Sequence, residues 1–398
     1  MLQDKEILLG VSGSIAAYKA AELARLLLKQ GAKVQVIMTQ SATEFIAPLT
    51  FFSLTGREVY SKMFSGGPEV ATAHIELARK ADLILIAPAT AKTISRIAQG
   101  MADDLLITSV IASDSPVVIA PAMNVEMYKH PAVQDNIKRI SSWPGYFIAP
   151  PGAGELACGE VGFGRLAEPE ELVEFCQWAL AGGKQDLVGK HVVVTAGPTQ
   201  EDIDPVRFIT NRSSGKMGYA VARCAARRGA KVSIIGIPNL QPLPSGCLQV
   251  AARSAEDMTQ AVHAILPETD ILIMAAAVAD YRPAEVYAQK MKKKPGELHI
   301  PLERTTDILA SLEPSDKRIT VGFAAETENL LENAIDKCKR KKLDMIVAND
   351  VSRADSGFAT DTNQVTLMRV DAEPLPLPLM SKVQVADTIL DHALQLKK

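Results

Sequence analysis

The chain has little of what marks several protein classes. Aromatic residues make up only 5% of its 398 residues, so its cores must be aliphatic. Its five cysteines, Cys158, Cys176, Cys224, Cys247 and Cys338, are scattered and contain no C-x-x-C pair. This excludes a disulfide framework and a cysteine zinc site, and it fits a reducing, cytoplasmic setting. No uncharged apolar run approaches the roughly 18 residues of a membrane span. Met1 to Glu6 is mixed in charge and leads into a strand pattern, so no signal peptide is expected. A net charge of -3 excludes a generally basic nucleic-acid binder, and 47% hydrophobic residues exclude a disordered chain.

A length of 398 residues suits two domains. Ile7 to Val11, Val34 to Met38, Leu83 to Ala87 and Val117 to Ala120 are short apolar runs of the kind that form buried parallel strands. A helical pattern from Ala16 to Gln30 ends at Gly31, where a C-cap glycine belongs. Trp143 to Gly164, rich in Pro and Gly, reads as a long irregular loop, followed by a helix over Pro169 to Leu180 and a polar, Gly-rich linker. The pattern then restarts. His191 to Gly197 reads as a strand and Gly218 to Arg228 as a helix. Further strands are expected at Ile271 to Ala275, Ile319 to Phe323 and Met345 to Ala348, with a hairpin joining Val365 to Val370 and the run near Leu375. The predicted fold class is α/β: a flavodoxin/Rossmann-like doubly wound parallel sheet over 1–189, and a Rossmann-like domain with a terminal hairpin over 190–398. The first part carries net charge -4 and the second +1, with basic clusters at Lys290 to Lys294 and Lys337 to Lys342 that suit a polyphosphate or a solvated face.

In the first half, Gly13, Ser14 and Ile15 lie between the first strand and its helix, where small residues let a phosphate approach backbone N–H groups. The full G-x-G-x-x-G spacing is missing, and Thr39 stands where a ribose-binding acid would close the second strand, so a flavin mononucleotide fits better than NAD. Pro88, Ala89 and Thr90 end one buried strand, and Met123 and Asn124 follow the next, at the edge where open α/β sheets bind ligands. His74 heads a helix. In order, His74, Ala87 to Thr93, Pro121 to Met127 and Ala157 to Arg165 resemble the motifs of the flavin-dependent cysteine decarboxylases. Lys92 replaces the usual Asn, and Tyr128 stands where Trp is common. The resemblance implies FMN as cofactor, His74 as base, Asn124 on the substrate carboxylate and Cys158 as proton donor. Thiol oxidation would precede loss of carbon dioxide, so that sulfur delocalises the electrons released.

In the second half, Asn211 to Gly218 (N-R-S-S-G-K-M-G) places Ser, Gly and Lys before a helix without the Walker A spacing. Asp280 closes the stretch that follows a buried strand and suits magnesium, a ribose or a helix cap. With A-A-V-A-D-Y, K-x-K-K, Gly322 to Thr327 and Ala348 to Ser352, these motifs resemble phosphopantothenate–cysteine ligase. That resemblance implies activation of 4'-phosphopantothenate by CTP as an acyl-cytidylate, with Mg2+, and displacement of CMP by cysteine to give phosphopantothenoylcysteine. It assigns Asn211 to the acyl-cytidylate and Lys290 to charge neutralisation. The nucleotide would be lined by Met274, Ala275, Ala276, Asp280, Thr306, Asp307, Ile308, Leu309, Phe323, Lys337 and Lys341. Thr305-Thr306 replaces the Asn-Pro often found there. No dedicated metal-ligand set and no nucleic-acid or membrane partner is expected. The family implies a homo-oligomer of trimeric flavin domains and dimeric ligase domains, in a dodecamer. The first half also resembles flavin-binding regulatory subunits of phosphatases and flavin prenyltransferases; the ligase motifs argue against the former, and the Pro121 to Met127 element and the Cys158 loop against the latter.

Overall fold

The computed structural model describes residues 2–63, 73–155, 161–292, 298–326, 330–350 and 360–396. The chain divides into two compact units, Met1–Gln185 and Asp186–Lys398.

In the first unit, β1 (Glu6–Val11), β2 (Lys33–Met38), β3 (Val59–Tyr60), β4 (Leu83–Ala89), β5 (Val117–Pro121) and β6 (Tyr146–Ile148) form one parallel sheet in the order β3-β2-β1-β4-β5-β6. The chain reverses its direction of growth between β1 and β4, which creates the switch-point crevice where such sheets take ligands. β4 is buried at every residue, because helices cover both faces. Leu83, Leu85 and Ala87 join one core with the helices Ala17–Lys29 and Pro169–Leu180, while Ile84 and Ile86 join the other with Ala91–Gln99 and Leu105–Ile111. This alternation is the period of two expected of a strand.

The irregular loop expected from Trp143 to Gly164 is replaced by β6 and an antiparallel ribbon, Gly152–Glu155 with Val161–Arg165. Pro and Gly obscured both. Tyr146-Phe147-Ile148 is too short to show a period, and Gly164 sits at φ +141°, a conformation that lets a glycine-rich ribbon bend.

In the second unit, β7 (His191–Thr195), β8 (Lys231–Gly236), β9 (Cys247–Ala251), β10 (Ile271–Met274), β11 (Ile319–Glu326) and β12 (Met345–Asp350) are parallel. β13 (Val365–Arg369) and β14 (Ala372–Pro376) add the antiparallel hairpin at the edge, giving the order β9-β8-β7-β10-β11-β12-β13-β14. The helix after β7 begins at Lys216 rather than Gly218. Gly218 lies so close to β7 that a Cβ there would sit 2.7 Å from that of Ala196. The last helix, Lys382–Leu394, packs along this one. Between them lies Arg228, 1% exposed, with its guanidinium 2.6 Å from Asp186 and 2.9 Å from Asp391. Among the described residues no helix is long and apolar enough to cross a membrane.

Candidate active sites

In the first unit the residues expected at the flavin site gather at the C-terminal ends of β1, β4 and β5. The buried Ser12 hydroxyl donates to the Pro88 carbonyl at 2.7 Å and accepts from the Thr90 N–H at 3.0 Å, tying the end of β1 to the end of β4. Gly13 passes so near Ser41 that a Cβ would lie 2.4 Å from that residue's Cβ. Ser14 Oγ accepts from the Ala16 N–H, and Ile15 is 62% exposed. Thr39 donates its N–H to Val11 and half-caps the turn at Ala42. The helix Ala17–Lys29 has neither a capping side chain nor an acid in its first turn, an opening that suits an anion. Ala89 is buried at the end of β4, and Thr90 caps the helix Ala91–Gln99, with Lys92 exposed on its first turn.

Asn124 caps the short helix Val125–Lys129, its Oδ1 accepting from Glu126 at 2.8 Å. The ribbon strand Val161–Arg165 lies directly on this segment. The Met123 N–H donates to the Gly164 carbonyl at 2.9 Å, and a Cβ at Gly164 would meet the Met123 carbonyl oxygen at 2.4 Å. Half-buried Tyr128, pushed up in pKa by desolvation, fills the position where Trp was expected. His74 is half-buried in the helix Ala73–Lys80. Cys158 lies outside the described residues. The other four cysteines are buried and outside any disulfide; burial pushes Cys176 up to about 12 and Cys338 up to about 11, which makes these two poor thiolates.

In the second unit a cavity of about 440 Å³ opens beside β10, β11 and β12. Of the predicted residues it brings together Asn211, Met274, Ala275, Ala276, Asp280, Thr306, Asp307, Ile308, Leu309, Phe323, Lys337 and Lys341. Asn211 donates its amide to the Ala277 and Val278 carbonyls at 3.3 and 3.0 Å, linking the helix entry to the segment after β10. Lys337 donates to the Phe323 carbonyl at 2.9 Å, and Lys341 pairs with Asp307 at 2.9 Å. Burial opposes the charge of Asp307, but Lys341, the Ala310 N–H and Lys337 outweigh it and hold the carboxyl below its ordinary range. Asp280 is exposed and precedes a strand, Tyr281–Pro283, so a helix cap is not its role. Five basic side chains face this cavity against two acidic ones, a balance suited to a polyanion.

Lys290 departs from expectation: it is exposed and absent from the cavity lining. Its neighbour Met291 is anchored instead, donating its N–H to the buried Asp204 carboxylate at 3.1 Å, while Arg207 donates to the Met291 carbonyl at 3.1 Å and pairs with Asp204. The basic run continues into 293–297, outside the described residues.

Residues 1–180 match the family model "Flavoprotein", and 187–396 match "DNA/pantothenate metabolism flavoprotein C-terminal domain". The chain is 48% identical over 401 residues to the coenzyme A biosynthesis bifunctional protein CoaBC of Bacillus subtilis, covering 100% of this chain and 98% of that one. It belongs to the coenzyme A biosynthesis bifunctional protein family. Similar relatives occur in Vibrio parahaemolyticus (47% identical, 99% of both chains) and in Escherichia coli K12 (44% identical, 98% of this chain and 97% of that one). Members of this family are bifunctional enzymes that join a decarboxylase to a ligase, and the chain is an enzyme of this kind.

The second unit's cavity is also lined by residues that sequence reasoning left unassigned, among them Lys216, Asn349, Asn363 and Lys382. Lys216 and Asn349 lay inside quoted motifs. Lys382 had one signal, the capping box of Ser381 and Gln384, which marks a helix start but gives no hint of what that start faces.

Proposed function

We propose that the second unit joins cysteine to 4'-phosphopantothenate at the expense of CTP, and that the first unit decarboxylates the resulting phosphopantothenoylcysteine to 4'-phosphopantetheine with FMN. The observation that carries this reading is the second unit's cavity, with its excess of basic side chains and its uncapped helix start at Gly215–Gly218. A carboxylate resists attack by an amine because its leaving group is poor, and an acyl-cytidylate supplies a better one. Asn211 orients that mixed anhydride, with its amide nitrogen already committed to the carbonyls opposite. Lys290, on a segment anchored by Asp204 and Arg207, neutralises charge as pyrophosphate forms. The described residues hold no group of three or more His, Cys, Asp or Glu side chains able to cage a metal. Mg2+ therefore arrives with the triphosphate, with Asp280 as the available carboxylate.

In the first unit, the uncapped helix start after Gly13 fits the phosphate of FMN, and the ends of β4 and β5 fit its ring system. When bound, FMN supplies a reversible sink for an electron pair and leaves no net redox change. The chain's own residues do the rest: His74 takes a proton from the substrate, Asn124 holds the carboxylate that is lost, and Cys158 returns a proton to carbon. We place the enzyme in the cytoplasm as a homo-oligomer of trimeric flavin units and dimeric ligase units. The exposed Ile15, Tyr18, Phe45, Leu49 and Phe52 of the first unit support such contacts.

The purified protein is expected to be yellow, and to release pyrophosphate from CTP only with phosphopantothenate present. Cys158→Ser is expected to keep the flavin and the ligase activity while the unsaturated intermediate accumulates, as mass spectrometry would detect. A colourless protein indifferent to CTP overturns the reading, and unchanged product formation by C158S removes the proton-donor role.

A further inference from the structure

Thr199 lines no part of the second unit's cavity, yet it touches both segments that fix Asn211. It lies just beyond β7, where the chain leads into a small antiparallel hairpin, Gln200–Asp202 with Phe208–Thr210. Asn211 is the next residue after that hairpin. Thr199 is 0% exposed. Its hydroxyl oxygen accepts from the Ala279 N–H at 3.0 Å, its own N–H donates to the Ala277 carbonyl at 3.4 Å, and its carbonyl accepts from the Thr210 hydroxyl at 2.6 Å. The Asn211 amide in turn donates to the carbonyls of Ala277 and Val278. Thr199 thus holds Asn211 by two routes, through its chain neighbour Thr210 and through the carbonyls on which its amide rests.

The rest of that segment has supports of its own. The Thr195 hydroxyl accepts from the Ala276 N–H at 3.1 Å, and the Gly197 carbonyl accepts from the Ala277 N–H at 2.9 Å. Thr305 donates its hydroxyl to the Ala279 carbonyl at 2.6 Å and its N–H to the Asp280 carbonyl at 3.0 Å. Ala279 is 4% exposed, and its N–H takes the Thr199 hydroxyl as acceptor. A buried N–H deprived of its acceptor is costly, so the chain around it moves to find another. Valine at this position would keep the shape of threonine and remove the acceptor.

We propose that Thr199 is a positioning residue for the ligase reaction: without touching substrate, it sets the place of the Asn211 amide against the acyl-cytidylate. The inference rests on the ligase reading of the cavity and adds a residue outside the cavity on which that chemistry depends. A reacting group displaced by about 1 Å loses on the order of a hundredfold in rate. Met274 to Ala276 keep the Thr195 brace when Thr199 is changed, and Phe323, Lys337 and Lys341 make no contact with it. The loss therefore falls on turnover and spares nucleotide capture.

The test compares Thr199→Val, Thr199→Ser and Thr210→Val in the full-length protein. It follows pyrophosphate release from CTP with phosphopantothenate and cysteine, at a temperature where thermal unfolding shows each variant folded. T199V is expected to lower kcat about tenfold or more while the KM for CTP stays within about threefold. T199S keeps the acceptor and is expected to stay within about threefold of the parent in both. Thr210 is exposed, so T210V tests the second route with little risk to folding, and a several-fold fall in kcat is expected. A folded T199V with kcat within about twofold of the parent overturns the proposal and leaves the ligase reading intact, as does a T199S as slow as T199V or a loss confined to KM. Should T199V fail to fold, T210V decides, and an unchanged kcat overturns the assignment. Failure of the parent protein to release pyrophosphate overturns the ligase reading itself.

Discussion

Asp204 illustrates how much a single side chain can organise. Its carboxylate is buried, paired with Arg207 and reached by the N–H groups of Val206, Arg207 and Met291. Arg207 first, and the backbone donors after it, hold the carboxyl well below the usual carboxylate range despite burial. A carboxyl depressed in the folded state adds stability above its unfolded pKa and loses it as pH falls through the folded one. Asp204→Asn is therefore expected to lower the urea midpoint of the second unit at neutral pH, with the gap from the parent closing only in strong acid. Denaturation curves across an acid series check this; a gap that persists unchanged into strong acid contradicts it. The same substitution frees the segment carrying Lys290, so ligase turnover is expected to fall while decarboxylation of supplied phosphopantothenoylcysteine persists. Nothing in the sequence around Asp204 announced this. Its partner Met291 is 87 residues away, and only the fold brings the two together.

At the scale of elements, sequence reading succeeded wherever hydrophobic period and length agreed. β1, β2, β4, β5 and the helices Ala17–Lys29 and Pro169–Leu180 were legible because a buried parallel sheet needs unbroken aliphatic runs and its helices need an apolar stripe. It failed at short or edge pieces. β9 (Cys247–Ala251) follows a stretch rich in Pro and lies at the sheet edge, where half its residues need no burial. The ribbon Gly152–Glu155/Val161–Arg165 was hidden by the glycines that make it possible. Gly164→Ala tests that account: with φ at +141° and a carbonyl 2.4 Å from the new Cβ, the ribbon must lift from Met123. The expected cost to the first unit is on the order of 1–3 kcal/mol, with weaker flavin retention, measurable by thermal unfolding followed through flavin fluorescence. An alanine variant as stable as the parent would mean that the ribbon does not rest on Met123.

Across the whole molecule, length and the restart of the strand–helix pattern near His191 pointed to two α/β units, and motif order suggested a chemistry for each. Much of the second unit's cavity lining was legible, because Asn211, Met274 to Ala276, Asp280 and Phe323 sit in motifs in or just after strands. Lys382 was not, since it enters from a helix more than 160 residues beyond Lys216, and no local pattern encodes such a meeting. The charge contrast between the halves pointed at a polyanion, and five basic side chains face the second unit's cavity.

The buried Arg228 has a topological consequence. Asp186 is the first residue of the second unit and Asp391 lies in its last helix, yet both carboxylates touch one guanidinium. The unit's entrance and exit are therefore neighbours, and the fold itself does not dictate which end of the unit is the free one. A circular permutant that joins Leu396 to Asp186 through a short glycine linker and opens at an exposed turn elsewhere is expected to fold and to bind CTP. The order of the two units along the chain is then one that the second unit would tolerate in reverse.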